Sequence, residues 1–275
     1  VLVRPVSDGG PGLLDALLSI QSGVLHHFTV CGPLGDPVEA RVLEQNNRVI
    51  IESADACGIH LVSERDPMNA TTRGVGELLI HAAQFGKPIV IGLGGSATVD
   101  GGAGMREALG NWGSRKSEIP ITALADVRNP LLGKNGAARV FGPQKGATPQ
   151  QIDELEVRLA KSIDPTYHNI EGAGAAGGLG AGLLMIGAQL VRGSDWVLRE
   201  LGIDDLLVQT RVLITGEGRH DAQSSMGKIT GELILRAESA GVPVVLVAGV
   251  EGGPTLTLDD VARLAHEGVA GLLAR

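Results

Sequence analysis

Aromatic side chains are scarce: three Phe, two Trp and one Tyr make up 2% of the 275 residues. A core built from this chain must be packed with Leu, Val, Ile and Ala. Modules that stack nucleobases on aromatic platforms are a poor match for such a composition. Basic charge is also short, with 23 Lys and Arg against 31 Asp and Glu and a formal net charge of −8. The diffuse attraction that holds non-specific nucleic-acid binders on the phosphate backbone is therefore missing, and an anionic ligand has to be captured by local donors. Cysteine is limited to Cys31 and Cys57. Their spacing fits no metal motif, and in a chain of this size they are expected as free thiols rather than as a disulfide. No apolar run approaches the roughly 20 residues that span a bilayer, and residues 1–10 lack the charged-then-apolar pattern of an export signal. The expectation is a cytoplasmic protein with no membrane and no nucleic acid among its partners; homo-oligomerisation is left open.

Glycine is abundant. There are 41, about twice the usual frequency of roughly 7%, and they cluster at the ends of apolar runs, where backbone is brought close to something. Val49 to Glu52, Pro88 to Gly92, Val212 to Thr215 and Val242 to Ala248 read as strands. Their bodies are continuously apolar rather than alternating, which indicates burial on both faces and a parallel sheet. Helical patterns fall between them: Gly76 to Gln84, Thr148 to about Ser162 with Thr148 as N-cap and Pro149 at the first helical position, Gly231 to Ala240, and Leu258 to Ala265. Strand, glycine turn, helix, strand is the α/β pattern. Val30 to Glu52, with turns at Gly32 to Asp36 and at Gln45 to Asn47, reads as antiparallel structure in a second lobe. The tract Gly172 to Gly182 reads as a glycine loop feeding a helix N-terminus.

Several constellations carry chemistry. Gly92-Leu93-Gly94-Gly95-Ser96-Ala97-Thr98 follows a strand, and its bare backbone N–H groups and two hydroxyls suit a phosphate or carboxylate. A ligand-free βα turn would look the same. The P-loop pattern is absent, so nucleotide binding would be of another kind. Thr215-Gly216-Glu217-Gly218-Arg219-His220-Asp221, with Gln223 and Lys228, places two carboxylates just past a buried strand, where open α/β sheets bind ligands. Glu217 and Asp221 suit Mg²⁺, and Lys228 suits phosphate; the alternative is a solvated turn. Lys145, between Gly142 and Gly146 and just before a helix, is either an anion contact or an exposed turn lysine. Asp126, after Ala123-Leu124-Ala125, and Asp8, after Val1-Leu2-Val3, are two further acids at expected strand ends. Together the acids suggest a metal-assisted site in a cleft.

These blocks resemble the bacterial glycerate kinases (type 1). The resemblance rests on Gly94-Gly95-Ser96-Ala97-Thr98 with Asp100-Gly101-Gly102, on Asp126-Val127 with Asn129-Pro130-Leu131, and on Phe141-Gly142-Pro143-Gln144-Lys145-Gly146-Ala147. It extends to Gly174-Ala175-Ala176-Gly177-Gly178-Leu179-Gly180 and to Thr215 to Arg219 with Asp221, Gln223, Gly227 and Lys228. The five blocks run in the family's order from Asp8 to about Gly249. The resemblance implies ATP-dependent phosphorylation of D-glycerate to 2-phosphoglycerate, with Mg²⁺. It also implies a site between two α/β lobes, one of them flavodoxin-like and discontinuous in sequence. The flavodoxin-like lobe is expected over 1–27, 72–100 and 205–275, and the second lobe over 28–71 and 101–204. Under this reading Glu217 and Asp221 hold the metal, and Lys145 and Lys228 neutralise phosphate charge. Gly94, Gly95, Ser96, Thr98, Gln144, Gly177, Gly178 and Gln223 bind substrate or phosphate, and Asp8 or Asp100 orients the attacking hydroxyl. The chain departs from the family pattern at Pro11, Leu13 and Val99, and is expected to be shortened at its N-terminus and after Gly110, the stretch Asn111 to Ile119 reading like a splice. Two other readings stand beside this one: a non-catalytic paralogue that binds an anion or nucleotide, and a dinucleotide-binding oxidoreductase, for which no clean Gly-x-Gly-x-x-Gly with a distal acid is present.

Overall fold

The computed structural model describes residues 1–110, 119–217, 228–248 and residue 263. Six strands form one sheet in sequential order: β1 (Val24–Cys31), β2 (Pro37–Glu44), β3 (Val49–Glu52), β4 (Ile89–Gly92), β5 (Ile121–Leu124) and β6 (Gln189–Val191). β1, β2 and β3 pair antiparallel, whereas β3 to β6 are parallel. β3, three apolar residues and Glu52, and the apolar run of β4 are buried at every position. This is the two-faced burial that a parallel strand covered by crossover helices requires. β1 has only exposed and half-buried positions before Val30, as an edge strand does.

Helix α1 (Leu13–Leu18) precedes the sheet, and the short α2 (Ala54–Cys57) follows β3. α3 (Arg73–Ala83) crosses from β3 to β4, and α4 (Ala103–Leu109) follows β4. α5 (Ala137–Phe141), α6 (Pro149–Ser162) and α7 (Ala175–Met185) lie between β5 and β6. Leu78, Leu79 and Ala82 of α3 share a fully buried core with Val49, Ile51, Ile89 and Ile91. A smaller apolar cluster joins Leu155 and Leu159 of α6 to Leu131, Ala137 and Ala181. α6 starts as expected at Thr148, whose hydroxyl accepts from the Gln151 N–H while the Gln151 side chain accepts from the Thr148 N–H, a reciprocal capping box. α8 (Gly193–Glu200) follows β6.

The chain divides into two compact units, 1–196 and 197–275. In the second, β7 (Leu213–Glu217) and β8 (Val244–Ala248) pair in parallel. α9 (Ile203–Val208) is tied to α10 (Lys228–Ser239) by an ion pair from Arg236 to Asp204 at 2.6 Å.

Several expectations are corrected or sharpened. Residues 1–7 form no strand, and Val1, Leu2 and Val3 are exposed: three apolar residues with no neighbouring strand to pair have nothing to hold them extended. β7 runs through Gly216 and Glu217 instead of turning there. A Cβ at Gly216 would lie 2.2 Å from the Val247 carbonyl oxygen, so glycine permits the close strand contact. β4 (within 72–100) is hydrogen-bonded along its length to β3 and β5 (within 28–71 and 101–204). The antiparallel segment is likewise continuous with the parallel strands through β3. The free thiols are as expected, Cys57 buried and Cys31 half-buried. Residues 111–118, which hold most of the splice-like stretch, and the expected helix at Leu258 to Ala265, apart from Arg263, lie outside the described residues.

Candidate active site

The loop after β4 is fixed from three sides. A Cβ at Gly92 would lie 2.3 Å from the Gly9 carbonyl oxygen, so the strand end and the 7–12 loop touch backbone to backbone. On the second side, Ser96 bridges antiparallel to Gly58: Ala97 N–H donates to the Cys57 carbonyl at 2.8 Å and Ile59 N–H to the Gly95 carbonyl at 2.7 Å. On the third, Lys145 Nζ donates to Ser96 Oγ at 2.8 Å and to the Thr98 carbonyl at 2.7 Å. Gly94 and Gly95 remain accessible, so the bare part of the loop faces outward while its hydroxyl and carbonyl groups are held from beneath.

Lys145 is 4% exposed, at the end of a single 3₁₀ turn (Pro143–Lys145) closed by Gly146 at φ 95°. Its setting differs from the solvent-facing lysine that a Gly-Lys-Gly turn suggests. Burial pulls its pKa down to about 8, with the nearby Cys57 and Asp100 opposing that shift. Burial also pushes the Cys57 thiol up to about 12. At neutral pH the thiol is uncharged, and the carboxylate of Asp100 is the negative partner that remains.

Asp100 is fully engaged. Oδ2 accepts from Thr72 N–H at 2.9 Å, Thr72 Oγ at 2.7 Å and Gly104 N–H at 3.1 Å, and Oδ1 accepts from Gly102 N–H at 3.0 Å. It joins the N-termini of α3 and α4. Gly177 and Gly178 reach the same place from α7. Ala176, Gly177 and Gly178 are consecutively left-handed, at φ 51°, 71° and 86°. A Cβ at Gly177 would stand 1.9 Å from the Thr98 carbonyl oxygen, the same oxygen that receives Lys145. Ser96, Thr98, Asp100, Lys145, Gly177 and Gly178, drawn from three separate stretches of the sequence, are therefore one cluster.

A second group lines the carboxyl ends of the adjacent strands. Asp126 lies two residues past β5, its side chain 4% exposed. Its Oδ1 accepts from the N–H and the hydroxyl of Ser194, both at 2.9 Å, at the start of α8. Asp8, whose Oδ1 accepts from Gly10 N–H at 3.0 Å, touches this group through its backbone: a Cβ at Gly193 would lie 2.1 Å from the Asp8 carbonyl oxygen. Gln144 does not join either group. It is exposed, and its carbonyl accepts from Arg65 Nη1 at 2.7 Å. In the second unit, Glu217 is the last residue of β7 and Lys228 the first of α10, while Asp221 and Gln223 lie outside the described residues. Among the described residues no group of three His, Cys, Asp or Glu is placed to hold a metal.

Sequence reading missed Thr72, Ser194 and the Cys57–Ile59 strap. The first two sit at helix starts, in Thr71-Thr72-Arg73 and Gly193-Ser194-Asp195, so a search for N-cap residues could have found them. The strap has no local signal.

A mainly parallel sheet with a braced, glycine-rich loop at its carboxyl edge is the arrangement in which α/β proteins bind ligands, phosphate and carboxylate groups among them. Comparison with known proteins takes this further. The profile described as the glycerate kinase family matches residues 1–112 and 111–270, and the chain belongs to that family; it is a kinase. It is 39% identical to the glycerate kinase of Bacillus subtilis (strain 168), over 89% of this chain and 75% of that one. It is 38% identical to the glycerate 2-kinase of Escherichia coli (strain K12), over 96% and 78%. Among solved structures, the protein from Salmonella typhimurium LT2 designated glycerate kinase 2 superposes with a TM-score of 0.79 at 35% identity, covering 98% of this chain and 88% of that one. These matches give no support to the oxidoreductase alternative.

Proposed function

We propose that this kinase phosphorylates D-glycerate at the expense of ATP with Mg²⁺, and that the product is 2-phosphoglycerate. The observation that carries the reading is the Lys145 knot. A buried ammonium bound to Ser96 Oγ and the Thr98 carbonyl holds the Gly94–Thr98 loop rigid and places positive charge behind it, which favours an anionic oxygen in front. Preorganised charge of this kind is the main requirement of phosphoryl transfer. The E. coli relative's name, glycerate 2-kinase, supports the position of phosphorylation.

In this reading Gly94, Gly95, Ser96 and Thr98 form the anion loop, and Gly177 and Gly178 provide the close backbone approach beneath it. Asp8 lies at the acceptor side. Glu217 and Asp221, two hard oxygen donors four residues apart, would hold Mg²⁺, which supplies charge neutralisation on the phosphates. Lys228 and Gln223 belong to the same phosphate-binding segment. The purified chain incubated with ATP, Mg²⁺ and D-glycerate is expected to release ADP only when all three are present, and phosphorus NMR of the product is expected to show a secondary phosphate ester. ADP release that ignores D-glycerate would end the proposal, and a primary ester would move the product to 3-phosphoglycerate.

A further inference from the structure

Glu52 closes β3, a strand otherwise apolar, and is 2% exposed. Its Oε1 accepts from the Leu14 N–H at 2.9 Å, 38 residues away, and the Gly12 N–H faces the same carboxylate. It thus serves the start of α1, whose N-cap Gly12 has no side chain to offer and stands at φ 87°. Arg41 does not take over this carboxylate. Its Nε and Nη2 donate to Asp55 at 2.8 and 3.1 Å, and Nη2 stays 3.7 Å from Glu52 Oε2. Burial pushes the Glu52 pKa up, and the N–H groups of Leu14 and Gly12, together with Arg41, pull against that shift. The segment that enters α1 is Gly9-Gly10-Pro11-Gly12, without a polar side chain of its own. It lies against the strand end and the anion loop at three points. The Gly9 carbonyl oxygen meets Gly92, a Cβ at Gly94 would lie 3.3 Å from both Gly10 Cα and Pro11 Cδ, and one at Gly95 would lie 3.0 Å from Pro11 Cγ. Whatever fixes the start of α1 therefore sets how this wall stands beside Gly94 and Gly95.

We propose that Glu52 is a positioning residue for the anion loop: its bond to the start of α1 holds Gly10 and Pro11 against Gly94 and Gly95 and so fixes the loop's N–H groups for an anion. The inference rests on the reading of residues 94–98 as the anion loop of a kinase. Lys145 braces that loop from beneath, and Glu52 braces it from the side through the 9–12 segment. Glu52 touches neither substrate nor the reacting atoms, so its effect falls on binding.

Glu52→Ala removes the acceptor and leaves Arg41 on Asp55. With ATP, Mg²⁺ and D-glycerate, E52A is expected to raise the KM of ATP or of D-glycerate about tenfold, with kcat changed by less than about threefold. A cap that served α1 alone would lower stability and leave both KM values where they are. Hydrogen exchange read by mass spectrometry gives a second measure that needs no turnover. The Leu93 and Ala97 N–H groups, bonded to the Leu124 and Cys57 carbonyls, report on the anion loop. Exchange in peptide 93–98 is expected to quicken about tenfold in E52A, together with that of peptide 10–18. A change confined to 10–18, with both KM values near those of the wild type, overturns the inference and leaves the kinase reading standing. If the wild type transfers no phosphate to D-glycerate, the kinase reading falls and exchange in 93–98 decides: faster exchange in E52A upholds the brace, and unchanged exchange ends it. Should E52A fail to fold, Glu52→Asp, which keeps the charge but is one methylene short of the Leu14 N–H, decides by the same two measures.

Discussion

A lysine held away from water carries a signature in its pH dependence. Lys145 has a folded-state pKa of about 8 against 10.5 for the free side chain. Below pH 8 it is protonated in both the folded and unfolded states, and the cost of burying its charge is fully present. Between about pH 8 and 10.5 the folded chain has released the proton and the unfolded chain has not, so this group's contribution to stability rises with pH, by an order-of-magnitude total of about 3 kcal/mol. The expected outcome is that the urea-unfolding free energy of the wild type, minus that of Lys145→Met measured at the same pH, increases across that window; a flat difference would mean that the ammonium is not buried as described. K145M also leaves Ser96 Oγ and the Thr98 carbonyl without their donor, and steady-state assays are expected to show kcat/KM reduced about 100-fold or more. Sequence named Lys145 as a candidate but not its surroundings. The turn Gly142 to Gly146 reads as exposed because nothing local announces that Ser96, 49 residues earlier, will arrive to receive it.

Between elements, two joints fix the loop after β4. One is Asp100, which ties the start of α3 to the start of α4. An Asn at this position would turn an amide toward donors that now meet an acceptor, so Asp100→Asn is expected to cost about 2 kcal/mol or more in chemical denaturation. The other is the left-handed run at the start of α7. Gly177→Ala would drive a methyl to 1.9 Å from the Thr98 carbonyl oxygen at a φ that disfavours any side chain, and a loss of about 2–5 kcal/mol is expected from the clash and the strain together. Its neighbour tests the opposite sign. Ala176 is the one non-glycine residue at positive φ among the described residues, so Ala176→Gly relieves strain and is expected to raise stability by up to about 1 kcal/mol. The glycine tract was legible as a loop entering a helix because small residues cluster there, whereas the left-handed run appears only when α7 meets Thr98 and Val99.

At the level of the whole chain, the α/β class and the positions of β3, β4, β7 and β8 were readable, because continuously apolar runs such as residues 49–51 and Ile89–Gly92 have few other fates. What could not be read was partnership. The antiparallel hairpin of β1 and β2 carries no mark showing that it continues into the parallel strands through β3, and three apolar residues at Val1 to Val3 resemble a strand until no neighbour pairs with them. The second compact unit supplies its own test of the kinase reading: Glu217→Ala and Lys228→Ala are each expected to cut ATP-dependent product formation by about 100-fold or more, with circular dichroism like that of the wild type. Near-normal rates in both would remove this segment from the phosphate chemistry. The parallel order from β3 to β6 has one more consequence. All of its strand-exit turns leave the same edge of the sheet, so the turns that enter the strands lie at the other edge. Gly86 and Gly187 stand in two such entry turns, each at positive φ with open space around it. A fluorophore or an immobilisation tag carried by an insertion beside either glycine, with the glycine itself kept to hold the positive φ, is expected to leave the strand-exit edge of the sheet untouched.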